Sequence, residues 1–197
     1  VTKSVDSATA EKLIEQGVKN CAENRVDKLL QKKQDLVNYP DVKWHLIGNL
    51  QRRKVKLIIN EIDCFHALDS LKLAEEIQKR ATKPLDCFVE VNVSGEASKH
   101  GFSPEELVPF IESLVALSKI KVVGLMTMAP KEASAKQIRK VFGTLKELRD
   151  LVHSKGFSHA PCTELSMGMS QDFQLAIEEG ATFIRVGTAL FKDEEEQ

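Results

Sequence analysis

The chain has 197 residues, 42% of them hydrophobic, and a formal net charge of -1. That is enough apolar material for one good core and a single domain, and so balanced a charge gives no electrostatic case for nucleic acid as a partner. No run of about 18 apolar residues offers a membrane span, no signal peptide is visible, and four widely spaced cysteines without a CxxC pair argue against both a disulfide framework and a zinc site; a cytoplasmic protein is expected.

In chain order, Val1 to Lys3 reads as the end of a first strand, and Ser7 to Gln16 as a helix stopped by Gly17. Val18 to Cys21 is a short strand, after which Glu23-Asn24 opens a helix to about Asp35. Val42 to Ile47 is a third strand closed by Gly48-Asn49, with a helix after it that carries Leu50, Val55, Leu57 and Ile58. Cys64 to Leu68 is a fourth strand, and Asp69-Ser70 offers a cap for a helix running through Arg80. Leu85 to Val93 is the longest apolar strand. Ser103-Pro104-Glu105-Glu106 has the form of a helix start, with a capping serine, proline in the first turn and acids at the positive end. Val122 to Met128 is a sixth strand, and a helix runs from about Ser134 to His153. The last two strands follow Cys162 and begin at Phe183; each stops at a small polar turn, Ser166 to Ser170 and Gly187-Thr188. Eight strands, each but the last followed by a helix, predict a parallel α/β fold closed as a (β/α)8 barrel over residues 1–191, with an acidic tail at 192–197. No G-x-G-x-x-G follows any strand, which weakens a dinucleotide reading.

In such a barrel the chemistry gathers at the carboxyl ends of the strands. Those ends carry Lys3, Asn24, Asn92, Arg185 and two glycine-containing turns able to approach a phosphate. They lack a cluster of His, Asp and Glu at metal-ligand spacing. A lysine in the mouth, desolvated and close to Arg185, would have a lowered pKa and could attack an aldehyde; an isolated lysine is ordinarily a surface residue. Arg185 is either an ion pair at the rim or a donor to a ring nitrogen, which it would keep unprotonated. His45 beside Trp44 reads as a satisfied core or rim histidine. Met126, Met128, Met167 and Met169 read equally as barrel filler or ligand contacts. The polar loop Ser94 to Gly101 is either a cover for the site or plain surface.

Several segments together resemble the pyridoxal phosphate homeostasis protein family, single-domain barrels related to the N-terminal domain of alanine racemase. They are Val1-Thr2-Lys3, Glu23-Asn24, Trp44 to Gln51, Val91 to Gly101, Gly124 to Met128, Leu165 to Ser170 and Arg185 to Thr188. The resemblance spans essentially the whole chain. It implies a TIM barrel that binds pyridoxal 5'-phosphate as a Schiff base on Lys3. It further implies phosphate contacts from Ser166, Gly168, Met169, Gly187 and Thr188, Arg185 at the pyridine nitrogen, and Asn24 near the cofactor. The helix usual before the first strand of the family is not in this sequence. Val5 stands where a second lysine is frequent, Cys21-Ala22 where an aromatic-glycine pair is, and Arg25 where an aromatic is.

The implied role is a carrier that buffers and supplies the cofactor, with PLP-dependent apo-enzymes as possible recipients, a monomeric state and no strong catalysis. A fold-type III racemase is the alternative. It needs a second acid–base group, a tyrosine supplied by another domain in the racemases, and the one tyrosine here, Tyr39, lies in a loop. A sugar-phosphate aldolase using Lys3, or a barrel acting only through protein contacts, are further alternatives.

Overall fold

A computed structural model describes residues 1–96 and 100–191. Among these, seven strands form one parallel sheet in sequential order: β1 (Asn20–Glu23), β2 (Lys43–Leu46), β3 (Cys64–Leu68), β4 (Leu85–Glu90), β5 (Ile120–Met126), β6 (Glu164–Met169) and β7 (Phe183–Arg185). Helices alternate with them: α1 (Ser7–Glu15), α2 (Val26–Asp35), α3 (Arg52–Ile58), α4 (Leu71–Arg80), α5 (Pro104–Ser113), α6 (Ala135–Ser154), α7 (Phe173–Glu178) and α8 (Thr188–Phe191). The result is a nearly closed TIM barrel. The expected first strand does not form as a strand. Its residues instead span the gap between β7 and β1: the Val1 amino group donates to the Val186 carbonyl at 2.6 Å, and the Thr2 amide donates to the Ala22 carbonyl at 3.0 Å.

Two further expectations are corrected. Ser166 to Met169 belong to β6 and are not a turn, because their backbone pairs with β5 and β7. The last strand is followed by a helix, the four-residue α8. The expected acidic tail lies outside the described residues, as does part of the Ser94 to Gly101 loop.

Local signals explain the helix starts. Ser103 and Ser134 each sit in a capping box, with Glu106 and Gln137 returning a bond to the cap backbone. Asp6 accepts from the Thr9 amide at 2.8 Å. Ser70 occupies the cap position of α4 but makes no side-chain cap bond; its hydroxyl bonds Asp69 instead.

Strand alternation separates two layers. Asn20, His45, Cys64, Phe88 and Phe183 line the barrel interior. Alternate residues such as Cys21, Trp44, Leu46 and Phe65 are buried in the core as well, on the side covered by helices. Strand β3 is buried at every residue, as a parallel sheet under helices requires, whereas the seam strand β7 leaves Ile184 exposed.

A cluster of three polar side chains lies in that outer layer. Lys32 of α2 reaches the carboxylate of Glu23 at 2.6 Å and the carbonyl of Thr2 at 2.5 Å, and the Thr2 hydroxyl donates to the same carboxylate oxygen at 2.7 Å. Both charged side chains are almost fully buried. Removing one partner of such a pair strands the other charge in an apolar layer. Lys32→Ala is therefore expected to lower unfolding stability by about 3–5 kcal/mol, measured by urea titration, whereas the double change Lys32→Met, Glu23→Gln is expected to recover much of that loss.

Candidate functional site

The carboxyl mouth gathers most of the residues singled out in the sequence. Ser166 and Arg185 are both buried and bonded to each other: Arg185 Nη1 donates to Ser166 Oγ at 2.7 Å, and Nη2 to the Thr127 carbonyl at 2.9 Å. Gly168 has φ +92°, and a Cβ there would lie 2.5 Å from the Ala176 Cβ. That position therefore admits only glycine, and the chain end of β6 is drawn against α7. Met169 follows, its amide donating to Asp172 Oδ1 at 2.6 Å. The turns after β6 and β7 are tied together, because the amides of Gly187 and Ala189 both donate to Ser170 Oγ, each at 3.2 Å. Two backbone N–H groups thus converge on one oxygen at the start of α8, whose first residue is the exposed Thr188.

Lys3 lies two residues beyond the Val1 contact with Val186 and is exposed, contrary to the desolvated lysine expected in the mouth. The cause is the absence of strand pairing past Thr2, after which the chain turns towards α1. Asn24 is also exposed, at the end of β1, and its carbonyl lies so close to Gly48 that a Cβ there would approach within 2.1 Å. Asn92 is a loop organiser: its side chain accepts from the Gly95 amide and donates to the Glu96 carbonyl. Met126 and Met167 are buried, whereas Met128 is partly exposed.

A hydrogen-bonded chain leads from the mouth down through the barrel. Ser166 Oγ lies 2.9 Å from His66 Nδ1, His66 Nε2 lies 2.9 Å from His45 Nδ1, and His45 Nε2 lies 3.0 Å from Asn20 Oδ1. The end groups set its direction. Arg185 can only donate and Asn20 Oδ1 can only accept. The Ser166 hydroxyl therefore points to His66, His66 Nε2–H to His45, and His45 Nε2–H to Asn20, with both imidazoles neutral. Burial favours that state. It lowers the pKa of His45, and it holds His66 well below the ordinary range with help from His45 and Arg185. Burial also lowers Arg185 to about 10, which still leaves it charged at neutral pH. His66 stacks on Phe88 with ring centroids 4.4 Å apart.

Similarity to known proteins identifies the family. The family model for the N-terminal domain of alanine racemase matches residues 3–195. The pyridoxal phosphate homeostasis protein of Aquifex aeolicus is 45% identical over 178 residues, covering 89% of this chain and 77% of that protein. The chain belongs to the pyridoxal phosphate homeostasis protein family. A structure of a family member, PipY of Synechococcus elongatus with PLP bound, superposes with a TM-score of 0.90 at 31% identity, covering 97% of this chain and 90% of that one. Alanine racemase of Clostridium difficile shares the fold, with a TM-score of 0.79 at 19% identity; this chain covers 48% of it.

Within this family member, two buried groups escaped the sequence reading. His66 was hidden inside the apolar run Cys64 to Leu68, where only its two-residue spacing from Cys64 hints at an inward position. Glu90, the last residue of β4, is buried with one carboxylate oxygen, Oε2, lacking a hydrogen-bond partner. Burial raises its pKa, the nearby Asp69 raises it further, and His100 and Arg185 partly oppose them. Because the folded pKa exceeds the unfolded one, the stability linked to this proton is full below the unfolded value and is lost as pH rises through the folded value. Glu90→Gln is expected to be progressively more stable than the parent as pH rises across that window, and similar to it below, measured by thermal melts of both proteins over the acidic range.

Proposed function

We propose that the chain binds pyridoxal 5'-phosphate at the carboxyl mouth and serves intracellular PLP homeostasis by buffering and supplying the cofactor. The observation that carries this reading is the convergence at the ends of β6 and β7. There, a buried charged guanidinium, a glycine that leaves no room for a Cβ, and two N–H groups aimed at one oxygen all meet. These residues fit the chemistry of the group. The Gly187 and Ala189 amides, which now share the Ser170 hydroxyl, suit a phosphate oxygen as a stronger acceptor. Gly168 and Met169 shape the floor beneath it, and Thr188 adds a hydroxyl at the rim. Arg185 has donors to spare and, being charged, would hydrogen-bond the ring nitrogen and keep a proton off it. Ser166 and the Thr127 carbonyl hold that guanidinium in place.

When bound, the cofactor supplies an aldehyde that condenses with a primary amine. Lys3 is the amine in this reading. The Val1 amino group bonds the Val186 carbonyl, one residue after Arg185, so Lys3 leaves the chain at the rim of the mouth, where its exposed side chain can reach a bound aldehyde. The buried bond between Lys32 and the Thr2 carbonyl keeps Lys3 at the mouth. Asn24, on the adjacent strand end, would help orient the ring.

The same reading gives the chain no strong catalysis of its own. Tyr39, its one tyrosine, is engaged elsewhere: its hydroxyl donates to Glu11 at 2.9 Å, and that carboxylate pushes the phenol up to about 12. A racemase working both faces of a substrate needs a second acid–base group, and this phenol is committed to α1. A monomer is part of the same reading. Among the described residues no helix is long and apolar enough to cross a membrane.

The deciding measurement is borohydride treatment of protein incubated with PLP, followed by peptide mass analysis. The expected result is loss of the visible absorption band with the pyridoxyl mass on Lys3. Lys3→Ala should abolish the reducible adduct and leave weaker, phosphate-competable binding. A pyridoxyl mass on another lysine would overturn the assignment of Lys3, and no bound cofactor at all would overturn the function.

A further inference from the structure

A cavity lies at the opposite end of the barrel from the cofactor mouth. It has a volume of about 750 Å³ and is lined by residues at the amino ends of all seven strands, from Asn20 and Lys43 to Glu164 and Phe183. At its inner end stand His45 and Cys64, which are direct partners in the register of β2 with β3, and behind them His66. The Nδ1 or Nε2 and Sγ donor atoms of these three buried residues all lie within 4.8 Å of one another.

We propose that His45, Cys64 and His66 bind one divalent first-row transition ion, with zinc the occupant, at the inner end of this cavity. Two imidazoles and a thiolate suit a borderline-soft ion and disfavour magnesium or calcium, which prefer oxygen. Three protein ligands leave a fourth position facing the cavity, which a water can fill.

The surroundings of the donors favour the same assignment. In proteins a metal-bound imidazole generally donates its other nitrogen to an oxygen, which orients the ring. Both rings here have that oxygen in place: Asn20 Oδ1 for His45 Nε2 and Ser166 Oγ for His66 Nδ1. The nitrogens left over, His45 Nδ1 and His66 Nε2, face each other at 2.9 Å. Donors sharing an ion at bond lengths of about 2.0–2.3 Å stand roughly 3.5 Å apart, so the rings need to part by only a fraction of an ångström while Cys64 closes in.

The proton balance is simple. Binding exchanges the Cys64 S–H proton for the ion and releases that proton to solvent. His66 moves its hydrogen from Nε2 to Nδ1, where it donates to Ser166 Oγ once that hydroxyl has rotated its own hydrogen out of the contact, with no net change in protons. One proton is released per ion. The sequence reading missed this cluster because its members come from two strands and carry none of the CxxC spacing of known zinc motifs.

The test uses the full chain, reduced and freed of metal by chelation, and titrated with cobalt(II) as the probe. The expected result is one equivalent bound, with intense visible bands of tetrahedral cobalt and a near-ultraviolet thiolate-to-cobalt band, both reversed by zinc, and release of one proton per ion. Cys64→Ser should abolish the thiolate band and weaken zinc binding by at least about 100-fold, the upper end of what losing an outer hydrogen-bond partner costs. Cys162→Ser, a buried thiol outside the cluster, should leave both unchanged. A pale octahedral spectrum, or a thiolate band that survives Cys64→Ser, overturns the proposal. Should Cys64→Ser fail to fold, zinc-edge X-ray absorption of the unsubstituted protein decides: one sulfur and two imidazoles upholds the site, and a shell without sulfur overturns it.

Discussion

The barrel depends on one buried ammonium. Lys32 binds the Glu23 carboxylate on β1 and the Thr2 carbonyl in the same small volume, so it joins α2, β1 and the segment that bridges β1 to β7. That segment bonds β7 and β1 through Val1 and Thr2 and has little apolar surface of its own. Apolar packing alone would hold so short a segment weakly, since each ordered residue costs about 1–2 kcal/mol of backbone entropy. A charge that needs two oxygen partners to be tolerated in a helix-covered layer supplies the missing specificity. Such pairs contribute little net stability against an apolar substitute but penalise strongly any arrangement that leaves them incomplete. Here the incomplete arrangement is the one in which the chain start has left the seam.

Inside the barrel a second polar system runs lengthwise. Parallel barrels are ordinarily filled by branched apolar side chains. This one carries Arg185, Ser166, His66, His45 and Asn20 in bonded succession. Both imidazoles and the Ser166 hydroxyl between them and Arg185 are fully bonded, which is the condition under which a buried polar network rigidifies a core instead of weakening it. The network also fixes where the guanidinium points. A charged group at the bottom of a mouth is useful for recognition only if its donors are aimed, and Ser166 with the Thr127 carbonyl aims them.

The architecture was largely legible in the sequence because the signals were local. Alternating strand and helix lengths, the serine caps at 103 and 134, and the glycine after the first helix all act within a few residues. Cys64–Leu68 matched its predicted bounds. The readings that needed correction concern long-range pairing. Ser166 to Met169 have the composition of a turn, yet Ser166 pairs with both β5 and β7 and Met169 pairs with β7, so the stretch belongs to the sheet, with its irregularity taken up between them. Val1 to Lys3 have strand composition, yet pairing stops at Thr2 and Lys3 faces solvent. The mouth residues Ser166, Arg185 and Gly187 were readable because glycine beside a charged strand end is chemically unusual. His66 and Glu90 were not, since a polar residue in an apolar run betrays its role only once the facing strands are known.

Trp44 is the one tryptophan in the chain. It is buried in β2, immediately before His45, so alternation turns the indole to the helix side while the imidazole faces the barrel interior. An optical reporter is thereby built into the wall between the two layers. Its emission follows the seating of helices on the sheet and is shielded from direct contact with whatever occupies the interior. Loss of the outer layer can therefore be followed in the unlabelled protein apart from any filling of the inner one.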